Sequence, residues 1–524
     1  MQRHRYSAQR GFALLILLAL IGVMVGAAIL TFVAKDSGAK PTRLAQTEQA
    51  LTAAKQALIA YAAGVQVSAA TCLKKDSNGN CARLGDLPCP DLNNDGWADG
   101  PCNTTTKLIG RLPWKTLGLP DLRDGDGERL WYAVSAKFVE NPRATNSSTA
   151  CPAPQTAPNS TCTCPSPAQT SCLNSSTSGF ITVRNSAGLV VNDGTKQAGA
   201  VAVIIAPGAI VTRLDKATPQ DRACTGDSNI TNCQKTNICT GTGTAPNVVY
   251  TGTALCNPIN YLEIAKAPVL SVSGAVGNQE DNANFTEGGT TNGFIGGPIV
   301  DPTVTGPNPP VKINDIIMPV TFADVMAAVQ RRVAQEVLTC LHSYGANQGG
   351  TFGNGRYPWA VDIPSTTFTV ASVFADKSGT YFGRVPDNGK FTKTSTDSGA
   401  TMSSSWPANC TLGGSWWVNW KDVVFYGVAA GYAPASTPPA ACTGSTCLTV
   451  SPLTGNKRVV VMVSGPAIGT QTRSTTCSTT PTPCNTVSNY LEGTNATASG
   501  SSAGAWAYQS GSPTSTFNDL VVYQ

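Results

Sequence analysis

The chain has 524 residues, only 13% of them charged and 41% hydrophobic, with 51 glycines, 35 prolines and 18 cysteines. Such a length implies two to four domains with sizeable cores, and the turn-rich composition favours β-structure with long surface loops. A formal charge of +5 is too small and too scattered for a nucleic-acid face, and its densest pair, Arg331-Arg332, reads as the solvated edge of a helix.

The first element is the uncharged run from Phe12 to Val33. At about 22 residues it would rise roughly 33 Å as a helix, enough for a bilayer core. Arg3, His4, Arg5 and Arg10 precede it without a carboxylate, which holds the N-terminus in the cytoplasm and sends the rest across. A cleaved secretory signal is the competing reading. It fits less well, because apolar residues continue past the small cluster Gly26-Ala27-Ala28.

A short basic leader ending in Gly11, then Phe12, then an unbroken apolar stretch resembles the N-terminus of type IV prepilins and type II secretion pseudopilins. The resemblance covers about the first 65 residues. It implies cleavage after Gly11 by a prepilin peptidase, methylation of Phe12, and assembly with other pilin or pseudopilin subunits from the inner membrane. The family's glutamate, five residues into the mature chain, is here Ile16. Its absence is similar to tip-class minor subunits, which have no subunit ahead of them to pair with.

All 18 cysteines lie beyond this segment, from Cys72 to Cys484, on the exported side of the expected topology, where disulfides persist. Zinc competes poorly: no CxxC pair occurs and His342 is the one histidine outside the leader. Sequence proximity suggests Cys89 with Cys102, Cys442 with Cys447 and Cys477 with Cys484, and leaves the connectivity open.

After Pro41, where a bend or break is expected, a helical stripe runs through Leu44, Leu51, Leu58 and Val65, with Thr47, Ala54 and Tyr61 beside it. Strand candidates follow at Leu130 to Val134 and Ala200 to Gly208, separated by loops rich in Cys, Pro, Ser and Thr. The same order then starts again. A second amphipathic helix carries Phe322, Val325, Val329, Val333, Val337, Leu341 and Tyr344. Gly110-Arg111-Leu112-Pro113 is echoed by Gly383-Arg384-Val385-Pro386, and Cys256-Asn257 to Tyr261-Leu262-Glu263 by Cys484-Asn485 to Tyr490-Leu491-Glu492. The strand exit Ala209 to Arg213 is echoed by Ala467 to Arg473, and Ile313 to Ile317 by Phe517 to Val522. With Leu130 to Val134 echoed by Val424 to Val428, and Ala200 to Gly208 by Arg458 to Pro466, seven echoes in one order imply a tandem duplication.

The expected architecture is therefore α+β: a leader at 1–11, a transmembrane helix at 12–34, and two tandem pilin-like modules at 35–319 and 320–524. Each module is a helix packed on an antiparallel sheet, with long disulfide-linked loops. The expected location is the inner membrane, single-pass, with the bulk periplasmic or extracellular.

For chemistry, Asp91-Leu92-Asn93-Asn94-Asp95-Gly96-Trp97-Ala98-Asp99 places oxygen ligands at positions one, three, five and nine, and glycine at six, in the order of an EF-hand-type calcium loop; Trp97 would offer its carbonyl. Position twelve is Cys102, so Asp121, Asp124, Asp126 or Glu128 would have to complete the set. The alternative is a metal-free turn built on Asn94-Asp95-Gly96. Trp416, Trp417 and Trp420 form either a surface for sugars or a protein partner, or part of the core beside the sheet. No nucleophile elbow, HExxH or phosphate loop is present, so no enzyme is expected. A minor fibre subunit at the tip is the leading reading, with a membrane-anchored adhesin or ligand-binding protein as the alternative.

Overall fold

A computed structural model describes segments 39–65, 83–100, 108–139, 173–194, 198–212, 218–222, 257–263, 282–287, 293–300, 311–346, 355–363, 374–391, 402–412, 415–434, 446–473, 484–499 and 506–524, together with residue 102. The first long helix spans Ala39–Ala63, with Pro41 in its first turn, where a missing N–H costs nothing. Pro41 therefore opens this helix instead of breaking it. Thr47, Leu51, Ala54, Leu58 and Ala62, spaced three or four apart, form its buried stripe with Ala50 beside Leu51, while Leu44 is 48% exposed.

The strands are β1 (Ile109–Arg111), β2 (Trp131–Val134), β3 (Thr182–Arg184), β4 (Val190–Asn192), β5 (Ala200–Ala206), β6 (Gly293–Ile295), β7 (Ile299–Val300), β8 (Val311–Ile313) and β9 (Ile316–Thr321). After the second long helix, Phe322–Ala346, come β10 (Phe382–Arg384), β11 (Val424–Val428), β12 (Thr449–Ser451), β13 (Val459–Val463), β14 (Ala507–Gln509) and β15 (Leu520–Tyr523). Two four-stranded antiparallel sheets dominate, in the orders β1-β2-β5-β9 and β10-β11-β13-β15. In each, the strands lie side by side in the order in which the chain makes them. The smaller sheets β4-β3-β6, β7-β8 and β12-β14 are built from the connecting segments.

No loop separates the first sheet from the second helix. Thr321 ends β9 and caps the helix: the Asp324 amide donates to Thr321 Oγ1 at 3.2 Å, and the Thr321 amide and hydroxyl each donate to Asp324 Oδ2 at 2.7 Å. Lys55 of the first helix reaches this junction, 2.7 Å from Asp324 Oδ2 and 3.2 Å from the Pro319 carbonyl. The two long helices pack on each other as well as on their sheets, and most of the buried apolar side chains form one core that spans both sheets, with Val361, Phe374 and Cys484 in a small cluster of their own. Every residue of β5, β11 and β13 is buried, which explains the near-continuous Val, Ile and Ala run of β5, the Val run of β13 and the absence of any charged residue from β11.

The sheets also share local detail. Tyr132 donates to the Pro88 carbonyl at 3.1 Å, and Tyr426 donates to the Pro358 carbonyl at 2.9 Å. Asp91 pairs with Arg111 across the edge of the first sheet as Val361 does with Arg384 at the second. Glycine is needed midway along both edge strands: a Cβ on Gly110 would lie 2.7 Å from the Asp91 carbonyl, and one on Gly383 would strike the carbonyl of Val361.

One part of the expected fold class requires correction. Among the described residues no helix is long and apolar enough to cross a membrane, so the described α+β fold does not begin with a transmembrane element. The first described helix carries Arg43, Glu48 and Lys55 and owes its burial to a sheet. Residues 12–34, to which that expectation refers, lie outside the described residues, as do Gly11 and Phe12.

Cys89 bonds to Cys102, and Cys340, on the second helix, bonds to Cys410. Cys447 and Cys484 are also disulfide-bonded. Cys442 and Cys477, suggested as their partners, lie outside the described residues.

Candidate functional site

The acidic loop 91–99 is a compact turn closed on itself. Asn94 at φ 64° and Gly96 at φ 91° reverse the chain, glycine supplying the second left-handed residue at little cost. Asp91 accepts from the amides of Asp95 (3.2 Å) and Gly96 (2.7 Å), Asn93 Oδ1 from that of Asp95 (2.9 Å), and Asp95 Oδ1 from that of Trp97 (2.8 Å). Asp99 turns back to accept from the amides of Leu92 and Asn93 at 2.7 and 3.1 Å. Burial, together with the charges of Asp99 and Asp95, pushes the Asp91 carboxyl up to about 7, against the hydrogen bond from Gly96. The Cys89–Cys102 disulfide ties the flanks, and Lys115 donates to the Asp95 carbonyl.

The donor set is all oxygen, which suits calcium by chemistry. Those oxygens nevertheless serve backbone amides, and among the described residues no group of three or more His, Cys, Asp or Glu side chains is placed to hold a metal ion. The side chains considered to complete the set have other partners. Asp121 binds Arg129 (2.9 Å) and Arg123 (2.8 Å), and Asp124 accepts from the amides of Asp126, Glu128 and Gly208. Trp97 stands 56% exposed at the loop's tip.

Trp416, Trp417 and Trp420 lie on a short helix, Ser415–Trp420, and are 1%, 2% and 0% exposed. As a binding surface this cluster is corrected: the rings face the core, with no face left for a sugar or a partner. The neighbouring Asn419 joins the two halves, accepting from the Leu173 amide at 3.0 Å through Oδ1 and from Asn174 Nδ2 at 2.9 Å through its carbonyl.

Sequence reasoning missed the most complete polar constellation, which occurs twice. Glu263 Oε1 accepts from Gln220 Nε2 at 2.9 Å, and Glu492 Oε1 from Gln471 Nε2 at 2.6 Å. Glu263 Oε2 accepts from the Asn314 amide at 3.2 Å, and Glu492 Oε2 from the Asn518 amide at 2.9 Å. The glutamate's own amide donates to Asp315 Oδ2 at 3.3 Å in one half and to Asp519 Oδ2 at 3.0 Å in the other. The same aspartate oxygen accepts from Asn282 Nδ2 at 2.8 Å and from Asn495 Nδ2 at 2.9 Å.

An arginine completes each clasp. Arg222 donates to the carbonyls of Gly208 (2.6 Å), Asn260 (3.0 Å) and Tyr261 (3.2 Å), and Arg473 donates to those of Gly465 (2.7 Å), Asn489 (2.9 Å) and Tyr490 (3.4 Å). The ring of Tyr261 lies between Arg222 and Arg111, 5.0 and 3.9 Å from its centroid, and Tyr490 lies between Arg473 and Arg384, at 5.2 and 5.4 Å. The counterpart of Arg473 is thus Arg222 and not Arg213, with which its sequence echo aligns it. The signal that could have found the clasp is the pair Gln220-x-Arg222 and Gln471-x-Arg473, followed by Asn314-Asp315 and Asn518-Asp519.

His342 is exposed, with its Nδ1 2.7 Å from Gln524 Nε2. No family model, curated protein or solved structure matches the chain.

Proposed function

We propose that this chain is a non-enzymatic subunit of a type IV pilus or type II secretion-like fibre, cleaved by a prepilin peptidase after Gly11 and assembled with other pilin-type subunits at the fibre tip. The observation that carries the reading is the Arg10-Gly11-Phe12 junction followed by an uncharged run with Ile16 in place of the usual glutamate. The tip position is favoured by bulk: two helix-on-sheet units fused through their helices make a head too wide to repeat along a narrow filament. Disulfides at Cys89–Cys102 and Cys340–Cys410 suit a head that works outside the cytoplasm. The buried Glu and Asp clusters are consumed by internal hydrogen bonds, which favours a structural over a catalytic role.

The mass of the N-terminal peptide from the native protein tests this reading. The expected peptide begins at methylated Phe12. One beginning at Met1, or after about Ala28, removes fibre assembly as the function and leaves the adhesin or ligand-binding alternative.

We also propose that calcium occupies the 91–99 loop, held by Asp91, Asn93, Asp95, Asp99 and the Trp97 carbonyl, and braces it between Cys89 and Cys102. A chelator is expected to lower the melting temperature of the full chain, calcium to restore it, and Asp95→Ala to abolish the response. An unchanged melting profile with no heat of binding in calorimetry would dispose of the calcium site.

A further inference from the structure

Each clasp has one oxygen whose partner requires a proton. Asp315 and Asp519 are buried, and their Oδ2 atoms are filled by the glutamate amide and the asparagine side chain. Their Oδ1 atoms are buried as well and meet no N–H or O–H donor. Glu263 or Glu492 lies directly against each aspartate: the glutamate amide donates to the aspartate Oδ2 in both halves, and the Asp315 amide donates back to Glu263 Oε2 at 3.4 Å. Both oxygens of each glutamate already accept from amide donors, Gln220 and Asn314 in one half, Gln471 and Asn518 in the other. Two ionised carboxylates at that separation in a dry site repel, whereas one proton between them turns the repulsion into a hydrogen bond.

We propose that each clasp binds one proton at neutral pH, shared between the aspartate and the glutamate that faces it, so that the last strand of each half is latched by a carboxyl–carboxylate pair. The latch holds the strand at its start: Asp315 immediately precedes β9, and Asp519 immediately precedes β15. The charged and titratable neighbours are Arg222 and Tyr261 on one side and Arg473 and Tyr490 on the other, with Glu128 3.5 Å from Arg222. These arginines favour a net negative charge of one per clasp, matching a single retained proton.

In each clasp one member of the pair is pushed up by the other, Glu263 in the first and Asp519 in the second. Burial and the facing carboxylate push Glu263 well up, burial carries Asp315 up to about 7, and burial with the Glu492 charge carries Asp519 up to about 8. Because these folded-state values lie above the unfolded carboxyl range near 4, the stabilisation is complete below that range. In the first clasp it fades as pH rises through about 7 for Asp315 and further as Glu263 ionises, and in the second as pH rises through about 8 for Asp519.

The test uses Asp315→Asn/Asp519→Asn in the full chain, since asparagine carries a donor and an acceptor where the protonated acid does. The wild type is expected to lose melting temperature between pH 5 and pH 9, while the double variant matches it at pH 5 and resists the alkaline fall. Unfolding near pH 7, followed by calorimetry in buffers of different ionisation enthalpy, should release protons from the wild type and fewer from the variant. The proposal is overturned if the variant shows the same alkaline fall or proton release, or is as unstable at pH 5 as Asp315→Ala/Asp519→Ala. A variant that fails to fold also overturns it, because the protonated clasp would then not be what asparagine imitates.

Discussion

Replacing Glu492 or Glu263 by alanine is expected to destabilise the protein by about 3–5 kcal/mol, the range for removing one member of a buried, hydrogen-bonded charged network. The side chain does more than oppose a charge. Its loss leaves the Asn518 amide and Gln471 Nε2, or the Asn314 amide and Gln220 Nε2, without their acceptor in a site that excludes water. Each orphaned donor costs on the order of 1–3 kcal/mol. The two substitutions should nevertheless unfold different things. Behind Glu492 lies β15, the final strand, which pairs on one side with β13 and touches the second helix. Glu492→Ala should therefore raise amide exchange at residues 520–523 first, as a local opening.

Behind Glu263 lies β9, which pairs along six positions with β5, receives Lys55 from the first helix, and runs into the second helix through the Thr321 cap. Opening there has no free end to fray. Glu263→Ala should loosen both long helices together and lower the global transition in chemical denaturation. If both variants exchange fastest in the same strand, or if neither loses more than about 1 kcal/mol, the clasps do not hold the strands as described.

What the sequence made legible, and what it hid, divides along physical lines. The long helices are readable because apolar residues recur at helical spacing, and the central strands because continuous Val, Ile and Ala runs fit a sheet covered on both faces. Leu44 misleads because hydrophobicity states a preference and not a contact: it stays 48% exposed, while Leu51 and Leu58 of the same stripe are buried along with Ala50, Ala54 and Ala62. The clasp is hidden by distance. Asp315 lies 52 residues from Glu263, and Asp519 lies 27 from Glu492, so no local spacing joins them. The doubled order of elements was readable, but pairing Arg473 with Arg213 failed because the first half takes a longer path from Gly208 to its arginine. The calcium pattern marks oxygens on a turn, yet the same Asp and Asn spacing serves backbone amides equally well. Three tryptophans near Gly413-Gly414 carry no sequence mark of burial.

Trp420→Ala is expected to cost about 3–5 kcal/mol, the range for truncating a large aromatic in a packed interior. Trp420 is fully buried and stands next to Asn419, the residue that accepts from Leu173 and Asn174 across the seam between the halves. The short helix Ser415–Trp420 therefore does two jobs at once: it seats three indoles in the core and presents one amide to the other half. Removing the Trp420 indole leaves a void in the core at the end of the short helix that carries Asn419, so the seam should loosen along with the second sheet. Chemical denaturation would register a single lower midpoint, and Asn419→Ala should weaken the same seam by a smaller amount. The alternative, a tryptophan platform for a ligand, predicts the reverse pattern: an unchanged midpoint with lost adhesion. Seeing that pattern for Trp420→Ala would require the indole to turn outward, against a burial that leaves it no exposed face.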